Sequence, residues 1–323
     1  MLKRLCLLIL LVGSFVACRP QPKTPGAMNI AVIPKATTGA FWQTVHRGAE
    51  QAAQDLGVNL VWVGTEREDQ RAQQISIMDS QIANRIDGIV LAPLDGKALV
   101  KPVQEAVERK IPVVIMDSAL EAPSELITSY VATDNKAGGS LAGEQMAKLL
   151  QGRGRVVVLR HQEGSVSTGQ RETGFLETLK QYPEIQILSS EQYGGRDPQQ
   201  AAENLLVRFS RKDQLEIDGV FCPNLTTTYG MLQALRRARK AGEVKLIGFD
   251  SDDSLVQALQ QNELHGLVLQ DPYQIGYQGV TTLVSHLKGR EVPTKKDTAL
   301  ILATPENLKD VRIQALLTPT QQL

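Results

Sequence analysis

The sequence predicts an α/β protein built from two doubly wound parallel-sheet lobes. Short apolar runs of four to seven residues recur along the chain, as in Asn29-Ile30-Ala31-Val32-Ile33, Ile86–Ala92 and Ile111–Met116. Strands of that kind suit a parallel sheet buried on both faces. They alternate with longer amphipathic stretches, the pattern of helices laid on both sides of such a sheet. About five strands precede Asp134 and about five follow it, which implies two lobes of similar architecture, although no residue-level repeat relates them.

The first half reads as strand 29–33, helix Phe41–Leu56 stopped by Gly57, strand Asn59–Val63, helix Asp69–Asn84, strand Ile86–Ala92, helix Leu99–Arg109, strand Ile111–Met116 and strand Leu126–Ala132. In the second helix, Gln74, Ile75, Met78 and Ile82 fall near helical spacing. Helix Lys136–Leu150 then leads to strand Arg155–Arg160, helix Gly169–Gln181, strand Ile185–Ser189, helix Pro198–Phe209 and strand Gly219–Cys222. Helix Thr226–Lys240, strand Val244–Phe249, helix Ser254–Gln261 and strand Gly266–Leu269 complete the pattern, and Lys295-Lys296 reads as a solvated turn.

The N-terminus has a different character. Lys3-Arg4 precede an apolar run from Leu5 to Val12, which ends in Gly13-Ser14-Phe15-Val16-Ala17-Cys18. A charged start, an apolar middle and a small-residue end make an export signal, and the run is too short to cross a bilayer. A cysteine directly after Val16-Ala17 resembles the lipobox of bacterial lipoproteins, in which cleavage precedes the cysteine and the cysteine carries the lipid. We therefore expect residues 1–17 to be a signal, Cys18 to be lipidated, and residues 18–27, with three prolines, to be a flexible tether. The expected location is extracytoplasmic, in the periplasm or at the cell surface, on a membrane anchor.

About 305 residues follow Cys18, enough for two domains of ordinary size. Apolar content of 42% and charged content of 22% fit a globular protein. Net charge is zero and no basic patch stands out, so nucleic acid is not an expected partner. Cys6 lies in the signal, which leaves Cys222 as the mature chain's other cysteine. It follows Val220-Phe221 and reads as core, with no acid or histidine placed to activate it.

In open α/β sheets a ligand sits outside the carboxyl ends of the strands. The residues there are Pro34 to Trp42, Ala92 to Asp95, Asp117-Ser118, His161-Gln162-Glu163 with a loop running to Arg171, Pro223-Asn224, Asp250-Ser251-Asp252 and Gln270 to Tyr273. Gly39 stands without the other glycines of a phosphate-cradling loop, so no dinucleotide cofactor is expected. No metal-ligand spacing and no Gly-x-Ser-x-Gly elbow occurs, and an enzyme is not expected. His161 and Glu163 lack a second carboxylate for acid–base work and read as solvated loop.

These segments resemble the type I periplasmic sugar-binding proteins, the ribose-binding-like group that serves ABC transporters. The likeness runs from about Met28 to about Thr304. It is carried by Phe41-Trp42 with Gly48-Ala49, Asp87–Pro93, Ile111–Asp117, Thr133-Asp134-Asn135 with Gly138-Gly139, and Arg171 with Gly174-Phe175. Phe221–Asn224, Ile247–Asp250 and Gln270-Asp271-Pro272 with Ile275-Gly276 complete it.

The resemblance implies lobes of 28–133 plus 272–293 and 134–271 plus 294–323, joined by three crossing strands near Ala132–Asp134, Gln270–Pro272 and Glu291–Asp297. It implies that Phe41 and Trp42 clamp the apolar face of a sugar ring, whose axial C–H groups suit a flat aromatic. Asp117, Asn224, Asp250 and Gln270 would bond the hydroxyls, and Arg171 would span two of them. Ser118 is a further candidate, at a position where many relatives carry arginine. Gly39 stands where many carry asparagine. Lys35, Thr38 or Glu163 are the candidates to replace those lost hydrogen bonds. The expected protein is a monomeric receptor that captures a sugar and delivers it to an ABC transporter permease. A membrane kinase or chemoreceptor as partner, and a nonsugar ligand such as a nucleoside or furanose signal, are the alternatives.

Overall fold

The computed structural model describes residues 26–212 and 214–317. The signal, Cys18 and the tether up to Pro25 lie outside the described residues. Within them the chain runs β1 (Asn29–Ile33), α1 (Ala40–Leu56), β2 (Asn59–Trp62), α2 (Arg71–Ala83), β3 (Gly88–Leu91), α3 (Val100–Glu108), β4 (Val113–Met116) and β5 (Ser129–Ala132). It continues α4 (Asn135–Leu149), β6 (Arg153–Arg160), α5 (Val166–Leu179), β7 (Glu184–Tyr193), α6 (Pro198–Arg208), a small hairpin of β8 (Ser210–Arg211) and β9 (Gln214–Leu215), and β10 (Gly219–Phe221). Then come α7 (Leu225–Arg237), β11 (Lys245–Phe249), α8 (Asp253–Gln260), β12 (Gly266–Gln270), α9 (Pro272–Leu287), β13 (Lys295–Asp297), β14 (Leu300–Ala303) and α10 (Val311–Leu317).

Two six-stranded sheets result, ordered β2-β1-β3-β4-β5-β13 and β7-β6-β10-β11-β12-β14. The first is parallel throughout; the second is parallel except for its edge strand β14, which runs antiparallel to β12. The expected class of two doubly wound parallel lobes is the observed one. Both sheets turn back at their second strand, so each has a topological switch point beside β1 or β6.

Strand alternation gives each sheet two apolar faces. In lobe 1, Ile30, Val32, Val90, Val114 and Met116 pack with α1 and α9. The intervening Ala31, Ile33, Ile89, Val113 and Ile115 pack with α2 and α3. In lobe 2, Val156, Val158, Phe221 and Phe249 face α4 and α5, while Val157, Leu159, Val220 and Cys222 face α6, α7 and α8. Cys222 is buried as expected, and the lack of water around it pushes its thiol well above the ordinary range.

Among the described residues, the chain passes between the two sheets three times. β5 closes in lobe 1 and α4 opens in lobe 2, while β12 ends in lobe 2 and α9 returns to lobe 1. The third crossing lies later than the boundary expected before Thr294. Lys295–Asp297 pairs in register with Tyr130–Ala132, so lobe 1 extends to Asp297 and the chain crosses before Leu300. The Lys295-Lys296 pair is thus part of an edge strand and not a turn. Charged side chains suit that position because they discourage further strand pairing.

Small residues set the spacing of the helix pairs that carry the cleft-facing loops. In α1 against α9, a Cβ on Gly48 would meet the Tyr273 carbonyl and one on Gly276 the Val45 carbonyl. In α4 against α5, one on Gly139 would meet the Arg171 carbonyl and one on Gly174 the Lys136 carbonyl. Gly48→Ala should therefore cost about 1–3 kcal/mol through overpacking, read as a fall of several degrees in Tm. Gly169→Ala, whose Cβ would meet nothing within 4 Å, should leave Tm unchanged or raise it slightly.

Candidate functional site

The carboxyl ends of both sheets face each other across a cavity of ≈ 230 Å³. That is about seven or eight waters of liquid volume, the scale of a single small molecule. Lobe 1 contributes Lys35 and Thr38 after β1, Phe41 and Trp42 at the start of α1, Glu68 after β2 and Asp117 after β4. Lobe 2 contributes His161, Thr168, Arg171, Asn224 and Asp250, with Gln270 at the second crossing.

Asp117 and Asp250 occupy equivalent places in the two sheets. Each follows the fourth strand of its lobe, and each sends its backbone N–H to the neighbouring strand, to the carbonyls of Val131 (3.0 Å) and Val268 (2.9 Å). Both adopt left-handed backbone, with φ of 60° and 65°. That conformation is uncommon for a residue with a Cβ and easiest for Asn and Asp. The turn it makes aims each carboxylate across the end of its sheet.

Each buried charge has a partner. Lys35 Nζ lies 2.8 Å from Asp117 Oδ2, with both side chains about 95% buried, and it also donates to Ser167 Oγ of lobe 2 at 3.0 Å. Arg171, only 2% exposed, donates through Nε to Asn135 Oδ1 and through Nη1 to the Pro223 carbonyl, both at 2.8 Å. Its guanidinium lies 3.9 Å from the centre of the Phe249 ring and 4.0 Å from Asp250 Oδ2. Two acceptors, a ring face and a carboxylate thus hold a cation in the second turn of α5, where the helix dipole opposes it. Burial pushes the Asp250 carboxyl upward against the pull of Arg171 and of Gln270, whose amide donates to Asp250 Oδ1 at 2.7 Å. The amide oxygen of Gln270 is buried and has no hydrogen-bond partner among the described residues.

The aromatic pair lines the cavity. Trp42 is 4% exposed and packs edge-on against half-buried Phe41, with ring centroids 5.0 Å apart at 82°. Its indole N–H donates to Glu68 Oε1 at 2.7 Å. Asn224 serves twice. Its Oδ1 caps α7 by accepting from Thr227 N and Thr227 Oγ1, which turns its amide nitrogen toward His161 Nδ1 at 3.2 Å.

Three expectations need correction. Ser118 is fully buried but does not line the cavity, because its hydroxyl accepts the Ser167 N–H at 3.1 Å across the lobe junction. Glu163 is exposed and points into an outer groove, so it supplies no replacement hydrogen bond in the cavity. His161 is not solvated loop: it is 4% exposed, and its Nε2 lies 2.8 Å from Glu68 Oε2 of the opposite lobe. Of the three replacement candidates, Lys35 lines the cavity buried, and exposed Thr38 lines it while donating to the Glu66 carbonyl at 2.9 Å.

Glu68 itself and the loop Glu66–Asp69 were missed, as were Gly195-Arg196 after β7. The strand-end rule that found the other residues applies equally to β2 and β7, and applying it there finds these too. No group of three or more His, Cys, Asp or Glu among the described residues is placed to hold a metal ion.

Two doubly wound lobes, three crossings and a polar cleft between them define a bilobal solute-binding protein. Residues 30–291 match the model of the periplasmic binding protein domain, and the chain belongs to that family. It is 26% identical over 293 residues to the D-allose-binding periplasmic protein of Escherichia coli, covering 88% of this chain and 93% of that one. It is 27% identical over 269 residues to the ribose import binding protein of Haemophilus influenzae, covering 83% and 88%. Among solved structures, it superposes with a TM-score of 0.86 and 34% identity on a carbohydrate transporter solute-binding protein from Agrobacterium radiobacter in complex with D-arabinose, over 91% of this chain and all of that one. An ABC transporter solute-binding protein from Agrobacterium vitis with bound D-fucose gives 0.85 and 31%, over 90% and 99%.

The Glu68–His161 contact has a pH signature. Burial alone would raise the Glu68 carboxyl, but the His161 hydrogen bond and charge, then Lys35 and the Trp42 N–H, hold it at about 2 against an ordinary 4.5. A depressed carboxyl stabilises the folded state above its unfolded pKa and loses that contribution as pH falls toward the folded one. The Tm gap between wild type and Glu68→Gln should therefore be widest near neutral pH and close between about pH 4.5 and 2. A gap that does not change over that range would show that Glu68 is not held this way.

Proposed function

We propose that this chain is an extracytoplasmic receptor that encloses one uncharged sugar between its lobes and delivers it to an ABC transporter permease, making and breaking no bond. The observation that carries this reading is the composition of the cavity. Hydrogen-bonding groups of both kinds converge there beside an aromatic pair, and the buried cations Lys35 and Arg171 face the carboxylates Asp117 and Asp250. The Lys35–Asp117 and Arg171–Asp250 pairs balance one another's charge while offering hydrogen bonds of both kinds, which suits a polyhydroxylated neutral ring. Gln270 Oε1, buried without a partner, is an acceptor for a ligand hydroxyl. The family to which the chain belongs, and relatives named for D-allose, ribose, D-arabinose and D-fucose, support the same class.

In this reading Phe41 and Trp42 cover the apolar face of the ring. Asp117, Asp250, Asn224 and Gln270 bond its hydroxyls, with Arg171 and Lys35 as donors and Thr38 at the rim. Closure removes water and so strengthens each of those bonds. The ligand favours the closed form only by its differential affinity for the two forms. The three crossings are the hinge, where Thr133 and Thr298 meet through their hydroxyls at 3.0 Å. The protein works as a monomer, held to the membrane by lipid on Cys18. No helix among the described residues is long and apolar enough to cross a membrane, and a single acyl chain anchors only marginally, so two or more chains are needed.

Calorimetry of the refolded, ligand-free protein against pentoses, hexoses, ketoses and polyols tests the central point. At least one neutral sugar should bind, and Arg171→Ala should weaken it by about 2–5 kcal/mol with the fold checked by circular dichroism. Failure of every sugar would remove the proposal. Cys18→Ser should move the protein from the membrane to the soluble fraction with sugar affinity unchanged. A variant that stays with the membrane would show that Cys18 is not the anchor.

A further inference from the structure

Away from the crossings, four direct bonds between the lobes converge on one short segment. His161–Ser167 links β6 to the first turn of α5, and the ends of four successive strands of lobe 1 reach it. After β1, Lys35 Nζ donates to Ser167 Oγ at 3.0 Å. After β2, Glu68 meets His161 at 2.8 Å. After β3, the Gly96 N–H donates to the Gly164 carbonyl at 3.0 Å. After β4, Ser118 Oγ accepts the Ser167 N–H at 3.1 Å.

The fit is close at backbone level. Gly164 has φ of +86°, and a Cβ there would meet the Asp95 carboxylate of lobe 1. Asp95 cannot easily move aside, because its Oδ1 accepts the N–H groups of Lys97 and Ala98, both at 2.9 Å, and its other oxygen pairs with Arg71. In return, a Cβ on Gly96 would meet the Val166 side chain. Neither Gly164 nor Ser118 lines the ligand cavity.

We propose that His161–Ser167 is a latch gripped by lobe 1, and that Gly164 and Ser118 are positioning residues that set ligand affinity through closure without touching the ligand. The inference rests on the hinge-closing reading given above. Each of these bonds joins groups on different lobes and none passes through the ligand. The latch therefore raises the closed fraction whether or not a ligand is present, and apparent affinity scales with that fraction. A lesion in the latch must weaken all ligands by one common factor, whereas a lesion in the cavity changes their ratio.

The test uses the full mature chain, as wild type, Gly164→Ala and Ser118→Ala. Calorimetry with two sugars that the wild type binds should show both weakened by the same factor. That factor should be about tenfold or more for Gly164→Ala and about three- to tenfold for Ser118→Ala, where a buried N–H loses its acceptor. A spin label on each lobe should report a minor short-distance population in the ligand-free wild type that Gly164→Ala lacks. Ser118→Ala introduces no positive-φ strain, so it keeps the test informative if Gly164→Ala folds poorly. Unchanged affinities, a changed ratio between the two sugars, or identical ligand-free distance distributions would overturn the latch. If the wild type binds no sugar, the sugar reading fails while the distance measurement still decides the latch.

Discussion

Charge buried at the strand ends is the constraint on which the cleft depends. Two sheets that aim their carboxyl ends at each other bring Lys35, Glu68, Asp117, His161, Arg171 and Asp250 into a space too small to hydrate them freely. An isolated ion in such a place costs several kcal/mol, and breaking one half of a pair is worse than having neither. Each is therefore answered. Lys35 answers Asp117, Arg171 has Asn135, the Pro223 carbonyl and the Phe249 face, Gln270 supports Asp250, and Glu68 faces His161. The Glu68–His161 pair and the Lys35–Ser167 bond complete these sets only when the lobes meet, so the electrostatics of the site and the closure of the molecule are one problem.

The two lobes solve the rest of that problem in the same way without repeating residues. Strand order is shared, the fourth strand of each ends in a left-handed aspartate, and each lobe has a helix pair brought into backbone contact by facing glycines. Moving α1 from α9, or α4 from α5, would displace Phe41 and Trp42, or Arg171, from the cavity. The glycines at the helix crossings and the charges at the strand ends therefore act on the same geometry from opposite ends.

Much of the fold was legible because buried parallel strands are apolar in every position. β3 and β4 are unbroken apolar runs, β1 and β11 are apolar after one polar first residue, and helices α1 and α4 begin within a residue of where the pattern places them. The edge strands were harder. β13 is Lys-Lys-Asp, a sequence with no apolar signal that becomes a strand only because β5 offers it a partner. The site divided along the same line. Asp117 and Asp250 stand directly after strong strands and Arg171 early in the helix after one, and all three line the cavity. Ser118 is a candidate because it follows Asp117 where many relatives carry arginine, yet the left-handed turn at Asp117 sends it toward Ser167. His161 seemed solvated because its partner Glu68 is 93 positions away, and no local pattern records a contact across two lobes.

What unites these observations is the closure of two lobes around a small polar ligand that we propose. Small-angle scattering of the mature protein, recorded ligand-free and then saturated with a sugar that it binds by calorimetry, tests this most directly. The radius of gyration should fall on saturation to the value calculated from the structure described here. A sugar that binds tightly while the radius of gyration stays unchanged would contradict it.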